Sequence, residues 1–227
     1  MSFMEEIIKE NIPIWDTCAE TLFIKELQTG VLPWEKMKQY MIQDSIYLKH
    51  YARVYGKAIY HSTNLKDIQM YYSVLNFVTE EESHIRLTYL KQFGLTDADI
   101  EAGKPLPENR KYIDFLLSIA EQGNSLAILM SVLPCLLSYS YVFRKIAAMP
   151  ETAGSRYFDF IQDYAEEQYF EECKSWCDFA DEKCRDLPAE EKEKLGVVFK
   201  KASLHELAFW EMAYGMTQAF HNSRNSL

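Results

Sequence analysis

At 227 residues, with no Gly/Ser/Pro-rich linker, the chain is long enough to bury most of its apolar surface in one domain. Its net charge of −10 argues against a nucleic-acid or anionic-membrane surface, since both require a basic patch. Five cysteines, an odd number, behind an N-terminus with no basic stretch and apolar core predict reduced thiols in the cytoplasm.

Ser2 and Glu5 stand at capping-box spacing and open a short helix expected to end before Pro13. A second helix is expected from Pro13 to Thr29, stopped by Gly30. From Pro33 to about His61 the apolar stripe Met37, Tyr40, Met41, Tyr47, Leu48, Tyr51, Val54, Tyr55, Ala58 keeps a helical period. Asp44 sits inside that stripe. A buried carboxylate is costly enough that it needs a partner or a purpose. Asn64 to Phe93 reads as another long helix, and Glu81-Glu82-Ser83-His84 within it carries the Glu-x-x-His spacing of carboxylate-bridged metal sites. Such a site needs two copies, and this chain has one, so these residues read as surface or outer charge.

Gly94 to Glu108, rich in Pro, Gly and Asp, is expected to be a loop, followed by a helix from Asn109 to Gln122. The run from Ser125 to Phe143 is almost uncharged and must be an interior helix. Its length would suit a membrane span, but Ser, Pro and two Tyr interrupt it and no second span exists. Pro134 cannot donate to the Met130 carbonyl, which should kink the helix beside Cys135. Tyr139, one turn on, should share a space with that thiol. Ser155 to Cys184 reads as one long helix. Cys173, Cys177 and Cys184 fall along its edge with no His nearby and read as packing residues. The last helix starts at Pro188 and carries Glu206 within the stripe Phe199, Ala202, Phe209, Ala213. No stretch alternates like a strand.

Asp44, Cys135 and Glu206 are thus three residues, on three helices, that a plain apolar core would reject or not need. With fifteen tyrosines to satisfy, they describe a polar-footed aromatic pocket in an all-α bundle, the usual form of a small-molecule site. A thiol beside a carboxylic acid is also a nucleophile with a proton shuttle.

At these residues the sequence resembles the thiaminase II (TenA) family, of the haem-oxygenase-like helical fold. The matching pieces are Gln43-Asp44-Ser45-Ile46-Tyr47-Leu48, Leu133-Pro134-Cys135 with Tyr139, Tyr164 ahead of an acidic run, and Glu206-Leu207-Ala208-Phe209-Trp210-Glu211-Met212-Ala213-Tyr214. The resemblance spans about residues 6 to 217. It implies a single helical domain over 1–220 with a flexible tail at 221–227, and a homotetramer. It implies an aminopyrimidine aminohydrolase that turns 4-amino-5-aminomethyl-2-methylpyrimidine into the hydroxymethyl pyrimidine for thiamin salvage, and that also cleaves thiamin. Neither metal nor other cofactor is implied. Cys135 would add to the pyrimidine ring. Glu206 would protonate the leaving amine and then activate water. Asp44 would hold the ring nitrogen and amino group, with Tyr47, Tyr112, Tyr139, Tyr164 and Phe209 enclosing the ring. Leu136-Leu137-Ser138, where many members carry aromatic residues or Gly, departs from the pattern and bears on pocket shape. The competing expectations are a metal-binding or non-catalytic relative of the same fold using Glu81 and His84, and a regulatory protein, which the acidic charge disfavours as a DNA binder.

Overall fold

The computed structural model describes residues 1–75 and 84–215, save for the side chain of His84. The elements are α1 (Phe3–Ala19), α2 (Leu22–Thr29), α3 (Trp34–His61), α4 (Leu65–Leu75), α5 (His84–Gln92), α6 (Asp97–Ala102), α7 (Pro107–Glu121), α8 (Ser125–Ala147), α9 (Phe158–Ala165), α10 (Glu167–Cys184) and α11 (Ala189–Tyr214), with a 3₁₀ turn at Pro150–Gly154. The fold is all-α, as the helical periods require, and no strand occurs among the described residues.

Several boundaries differ from the sequence expectation. Helix α1 has its Ser2–Glu5 capping box but runs through Pro13 to Ala19. A proline at 13 deprives only the Lys9 carbonyl of its partner, and Lys9 lies on the exposed face, where water can satisfy that group. The chain breaks instead at Thr21, which turns extended (φ −61°, ψ 149°) while its hydroxyl donates to the Cys18 carbonyl at 2.7 Å. The expected loop at 94–108 contains α6, capped reciprocally by Thr96 and Asp99 and buried through Ile100. The expected single helix from Ser155 to Cys184 is two, parted at Glu166 (φ −60°, ψ 150°). No proline or glycine marks that break. In one continuous helix Tyr164 and Tyr169 would point about 140° apart; the break lets their rings meet at 5.5 Å and 87°. Of the helix expected over 64–93, α4 and α5 are seen; residues 76–83 between them, with Glu81 and Glu82, lie outside the described residues, as do the His84 side chain and the tail 221–227.

Helix α8 occupies the centre and packs on α1, α3, α7, α9, α10 and α11. It alone among the described helices is long and apolar enough to cross a membrane, yet 78% of its most apolar window is buried inside the protein. The Asn124 side chain caps its start, accepting from the Leu126 and Ala127 N–H groups at 3.0 and 3.1 Å, a contribution of about 1 kcal/mol. It continues as one helix past Pro134. Two residues before the proline, the Val132 carbonyl accepts the Tyr51 hydroxyl of α3 at 3.0 Å, tying α3 to α8. Buried apolar side chains from Met4 to Ala213 form one continuous cluster. Trp15 and Trp210 are both buried within it, and truncating either to alanine would cost about 3–5 kcal/mol. Helix α11 ends at Gly215, whose φ of 84° suits glycine. Its last turn is held by the Tyr214 hydroxyl, which donates to Glu26 at 2.6 Å, and by Lys36, which lies over the Tyr214 ring and donates to its carbonyl.

Candidate active site

One face of α3 supplies Tyr40, Asp44, Tyr47 and Tyr51, at spacings of three and four residues that stack them along one side of the helix. Opposite stand Cys135 and Tyr139 of α8. Helix α11 adds Glu206, Phe209 and Trp210, α7 adds Tyr112, and α9 adds Tyr164. Cys135 is half-buried; the others are buried. The structure therefore brings together every residue singled out in the sequence for this pocket.

Asp44 is fixed by its flanks. The Gln43 side chain accepts from the Leu106 N–H at 2.8 Å and the Asn109 amide at 3.0 Å, and donates to the Lys104 carbonyl at 3.1 Å. On the other side the Ser45 hydroxyl donates to the Met41 carbonyl at 2.8 Å and accepts from the Arg86 guanidinium at 3.0 Å. Asp44 is 7% exposed. Burial raises its pKa to about 6, against the opposing pull of the Arg86 charge. The Asp44 charge in turn raises the phenols of Tyr40, Tyr139 and Tyr164, which places these three at its end of the pocket. There the Tyr40 and Tyr139 hydroxyls share a hydrogen bond of 3.0 Å. The Tyr139 and Tyr164 rings meet at 5.1 Å, and Tyr40 stacks on Trp210 at 5.4 Å and 7°.

Glu206 anchors the other end. It is 2% exposed and accepts the Tyr112 hydroxyl at 2.6 Å. Burial raises its carboxyl to about 8; hydrogen bonds from Tyr112 and the Cys135 thiol oppose that rise, and the Asp44 charge adds to it. Around it the Tyr47 and Tyr112 rings meet at 4.9 Å and Tyr47 faces Phe209 at 6.0 Å. His205 stacks on the outer face of Tyr112 at 5.0 Å and 8°.

Cys135 lies between the two ends. Burial and the charges of Glu206 and Asp44 push its thiol well above the usual range, while the hydroxyls of Tyr47 and Tyr51 pull it down. The Tyr47 hydroxyl is buried beside that thiol without a hydrogen bond of regular geometry. An unsatisfied buried hydroxyl costs roughly 1–3 kcal/mol, which a ligand that bonds to it recovers. The arrangement can thus present a fixed acceptor, a thiol and a protonated acid to one flat ring held between aromatic walls.

Sequence reasoning missed Arg86, Tyr40 and Tyr51. The two tyrosines carried a signal, since they share the stripe of Asp44. Arg86 carried none: it reaches Asp44 from another helix, and no cation lies within Gln43–Leu48.

The family model described as TENA/THI-4/PQQC matches residues 8–216. The chain belongs to that family. A relative named aminopyrimidine aminohydrolase, from Halalkalibacterium halodurans, is 28% identical to this TENA/THI-4/PQQC member over 216 residues, covering 94% of this chain and 96% of the relative. The crystal structure of a TenA family transcription regulator from Silicibacter superposes with a TM-score of 0.84 at 25% identity, covering 94% and 96% of the two chains. A domain of unknown function with a heme oxygenase-like fold from Shewanella denitrificans superposes with a TM-score of 0.67 at 18% identity, over 96% and 94%. The family member described here therefore has the haem-oxygenase-like fold expected from its sequence.

Proposed function

We propose that this protein is a hydrolase of aminopyrimidines in thiamin salvage, converting 4-amino-5-aminomethyl-2-methylpyrimidine and water to the hydroxymethyl pyrimidine and ammonia, and also cleaving thiamin. The name borne by the Halalkalibacterium relative supports the substrate class. The observation that carries the mechanism is the buried Glu206 carboxyl, within hydrogen-bond reach of the Cys135 thiol and facing Asp44 across the pocket.

Asp44 accepts from the ring's amino group and, once the neighbouring ring nitrogen carries a proton, from that N–H as well, a donor pair that one carboxylate addresses bidentately. Cys135 sulfur bonds to a ring carbon while the thiol proton passes to a ring nitrogen, which opens the route for the exocyclic amine to leave. Because its resting pKa is high, the thiol gives up its proton as the S–C bond forms, helped by the Tyr47 and Tyr51 hydroxyls. Glu206, protonated at neutral pH, gives its proton to the departing amine. Now a carboxylate, it takes a proton from water as the oxygen bonds to the exocyclic carbon. Loss of the ring N–H proton and the S–C bond then restores the thiol. Every proton and electron pair balances, and Glu206 ends protonated as it began.

Ammonia release from the aminomethyl pyrimidine tests this reading directly. Cys135→Ser keeps the volume but replaces the thiol with a much less acidic hydroxyl, so a folded variant should lose most turnover. Near-normal turnover in that variant removes Cys135 as nucleophile. Five free cysteines support a reducing, cytoplasmic setting, and the homotetramer is checked by sedimentation equilibrium.

A further inference from the structure

A cleft of about 650 Å³ opens between α1, α8 and α10. It lies on the far side of α8 from the catalytic pocket, since Leu137 and Arg144, which line it, point about 160° and 180° away from Cys135 around the helix. Trp15 and Leu137 are buried at its floor and Phe170 is exposed at its rim. A hydroxyl is buried with them. Ser140 lines the cleft and is 4% exposed, and its oxygen lies beside the Cys173 thiol without a hydrogen bond of regular geometry. Ser45, Ser62 and Ser175, by contrast, donate back to the carbonyl four residues earlier. A ligand atom that bonds to the Ser140 hydroxyl therefore recovers a desolvation cost already incurred.

The charges at the mouth have one sign. Arg144, Lys145 and Lys174 line the cleft and no acid does among the described residues, in a chain of net charge −10. Their acidic partners stand outward in solvent: Glu167 at 2.9 Å from Arg144, Asp16 at 2.7 Å from Lys145 and Glu171 at 3.9 Å from Lys174. Lys145 is committed, because Asp16 is also held by the Tyr141 hydroxyl at 2.8 Å. The other two pairs are exposed and weak. Arg144 gives Glu167 one bond from a guanidinium that has donors to spare, and that guanidinium lies over the Phe170 ring at 4.3 Å.

We propose that this cleft is a second ligand site, separate from the catalytic pocket, for a small amphipathic anion: a flat apolar body seated on Trp15, Leu137 and Phe170, with one carboxylate, phosphate or sulfonate group at Arg144 and Lys174. A polar atom on the body meets Ser140. The volume is that of a small-molecule site, with mostly apolar walls and a few polar groups that converge. A second copy of the chain would cover the rim, whereas a ligand that enters between the helices reaches Ser140 as well. An uncharged body would fill the floor and leave Arg144 and Lys174 unused. The site stands on the opposite face of α8 and does not depend on the reaction proposed above.

The test uses the full chain and two fluorescent probes, 1-anilinonaphthalene-8-sulfonate and its uncharged counterpart N-phenyl-1-naphthylamine, whose emission rises on transfer from water to an apolar site. The sulfonate should bind saturably at one site per chain. The double variant Arg144→Gln/Lys174→Gln, at positions on the solvated mouth, should weaken the sulfonate about tenfold and leave the uncharged probe within about twofold. Arg144→Lys with Lys174 intact should keep most of the affinity. Cys177→Phe, at a half-buried position on the wall, fills the cleft and should remove both probes from it. Ser140→Ala should weaken the sulfonate about threefold through its bridging N–H. Melting temperatures within a few degrees of the wild type check that the variants fold. Sulfonate affinity unmoved by both the double variant and Cys177→Phe overturns the site, and so does the absence of saturable binding in the wild type. Equal weakening of the two probes by the double variant overturns the preference for an anion. A wild type that binds neither probe, in an assembly that Cys177→Phe breaks on sedimentation, makes the cleft an interface between copies and overturns the proposal.

Discussion

At one end of the pocket a buried carboxyl feels the charge of a guanidinium; at the other, a buried carboxyl accepts a hydrogen bond from a phenol. Desolvation raises both, yet Asp44 reaches only about 6 while Glu206 reaches about 8. The difference lies in the next charge along. Arg86 pulls Asp44 down, whereas Asp44 itself pushes Glu206 up. At neutral pH one group is therefore a fixed anion and the other a loaded acid. Pairs of carboxyls driven apart by their surroundings divide acceptor from proton donor in this way, and each end can be altered separately to test the division.

The largest effect should come from Glu206→Gln, which keeps the hydrogen bond to Tyr112 but cannot cycle a proton. Turnover should fall about 10²–10⁴-fold with substrate still bound. In the wild type kcat/KM should rise through about pH 6 as Asp44 ionises and fall through about pH 8 as Glu206 loses its proton. Rate profiles from pH 5 to 9 should show the alkaline limb lost in the variant. An unchanged profile with most activity retained would make Glu206 an orienting group only.

The same substitution should reverse sign when stability is measured. A carboxyl whose folded pKa lies above its unfolded value binds more protons in the native state, so wild-type stability falls as pH rises from about 4.5 to about 8. Above that window the penalty is constant at a few kcal/mol, accrued at about 1.4 kcal/mol per pH unit. Glu206→Gln carries no such penalty. Urea unfolding at pH 5 and pH 8.5 should show the variant gaining on the wild type with pH; a gap independent of pH would show that Glu206 is not desolvated as described.

At the other end, Asp44→Asn retains shape but loses a charge-assisted acceptor. Calorimetry with the pyrimidine should show a loss of roughly 1.5–3 kcal/mol, about ten- to 150-fold. Unchanged affinity with a sharply lowered melting temperature would make Asp44 a structural member of the Arg86 pair. The smallest effect expected is that of Arg86→Gln, which should move the acid limb of kcat/KM upward from about pH 6 and lower the rate at pH 7 severalfold. Arg86→Lys should restore the limb in part, which loss of packing alone would not predict.

This asymmetry also marks the limit of what the sequence discloses. Asp44 and Glu206 are legible because each interrupts an apolar stripe whose period is fixed by the helix, and Cys135 because it stands in an uncharged run. Capping boxes and glycine stops are local and readable at Ser2 and Gly30. The Thr96 box is equally local, and it opens α6 inside a stretch whose Pro, Gly and Asp content points to a loop. Arg86 was not readable, since its relation to Asp44 is made by the packing of α5 on α3. Nor was the break at Glu166, where tertiary packing of two tyrosines overrides a sequence free of helix breakers. Pro13 misled in the opposite direction, because a lost bond on a wet face is inexpensive.

Gln43, Asp44 and Ser45 are consecutive, and each engages a different part of the protein: the segment leading into α7, the pocket, and α5. Removing one residue from α3 ahead of them would turn all three by about 100° and shift them about 1.5 Å along the axis. Gln43 would leave Leu106 and Asn109, and Ser45 would leave Arg86, in the same stroke as Asp44 left the pocket. Helix α3 should therefore accept side-chain replacement on its exposed face while refusing any insertion or deletion between Trp34 and Asp44. Length changes in this protein have to accumulate elsewhere, in connections such as 185–188 that carry no such register.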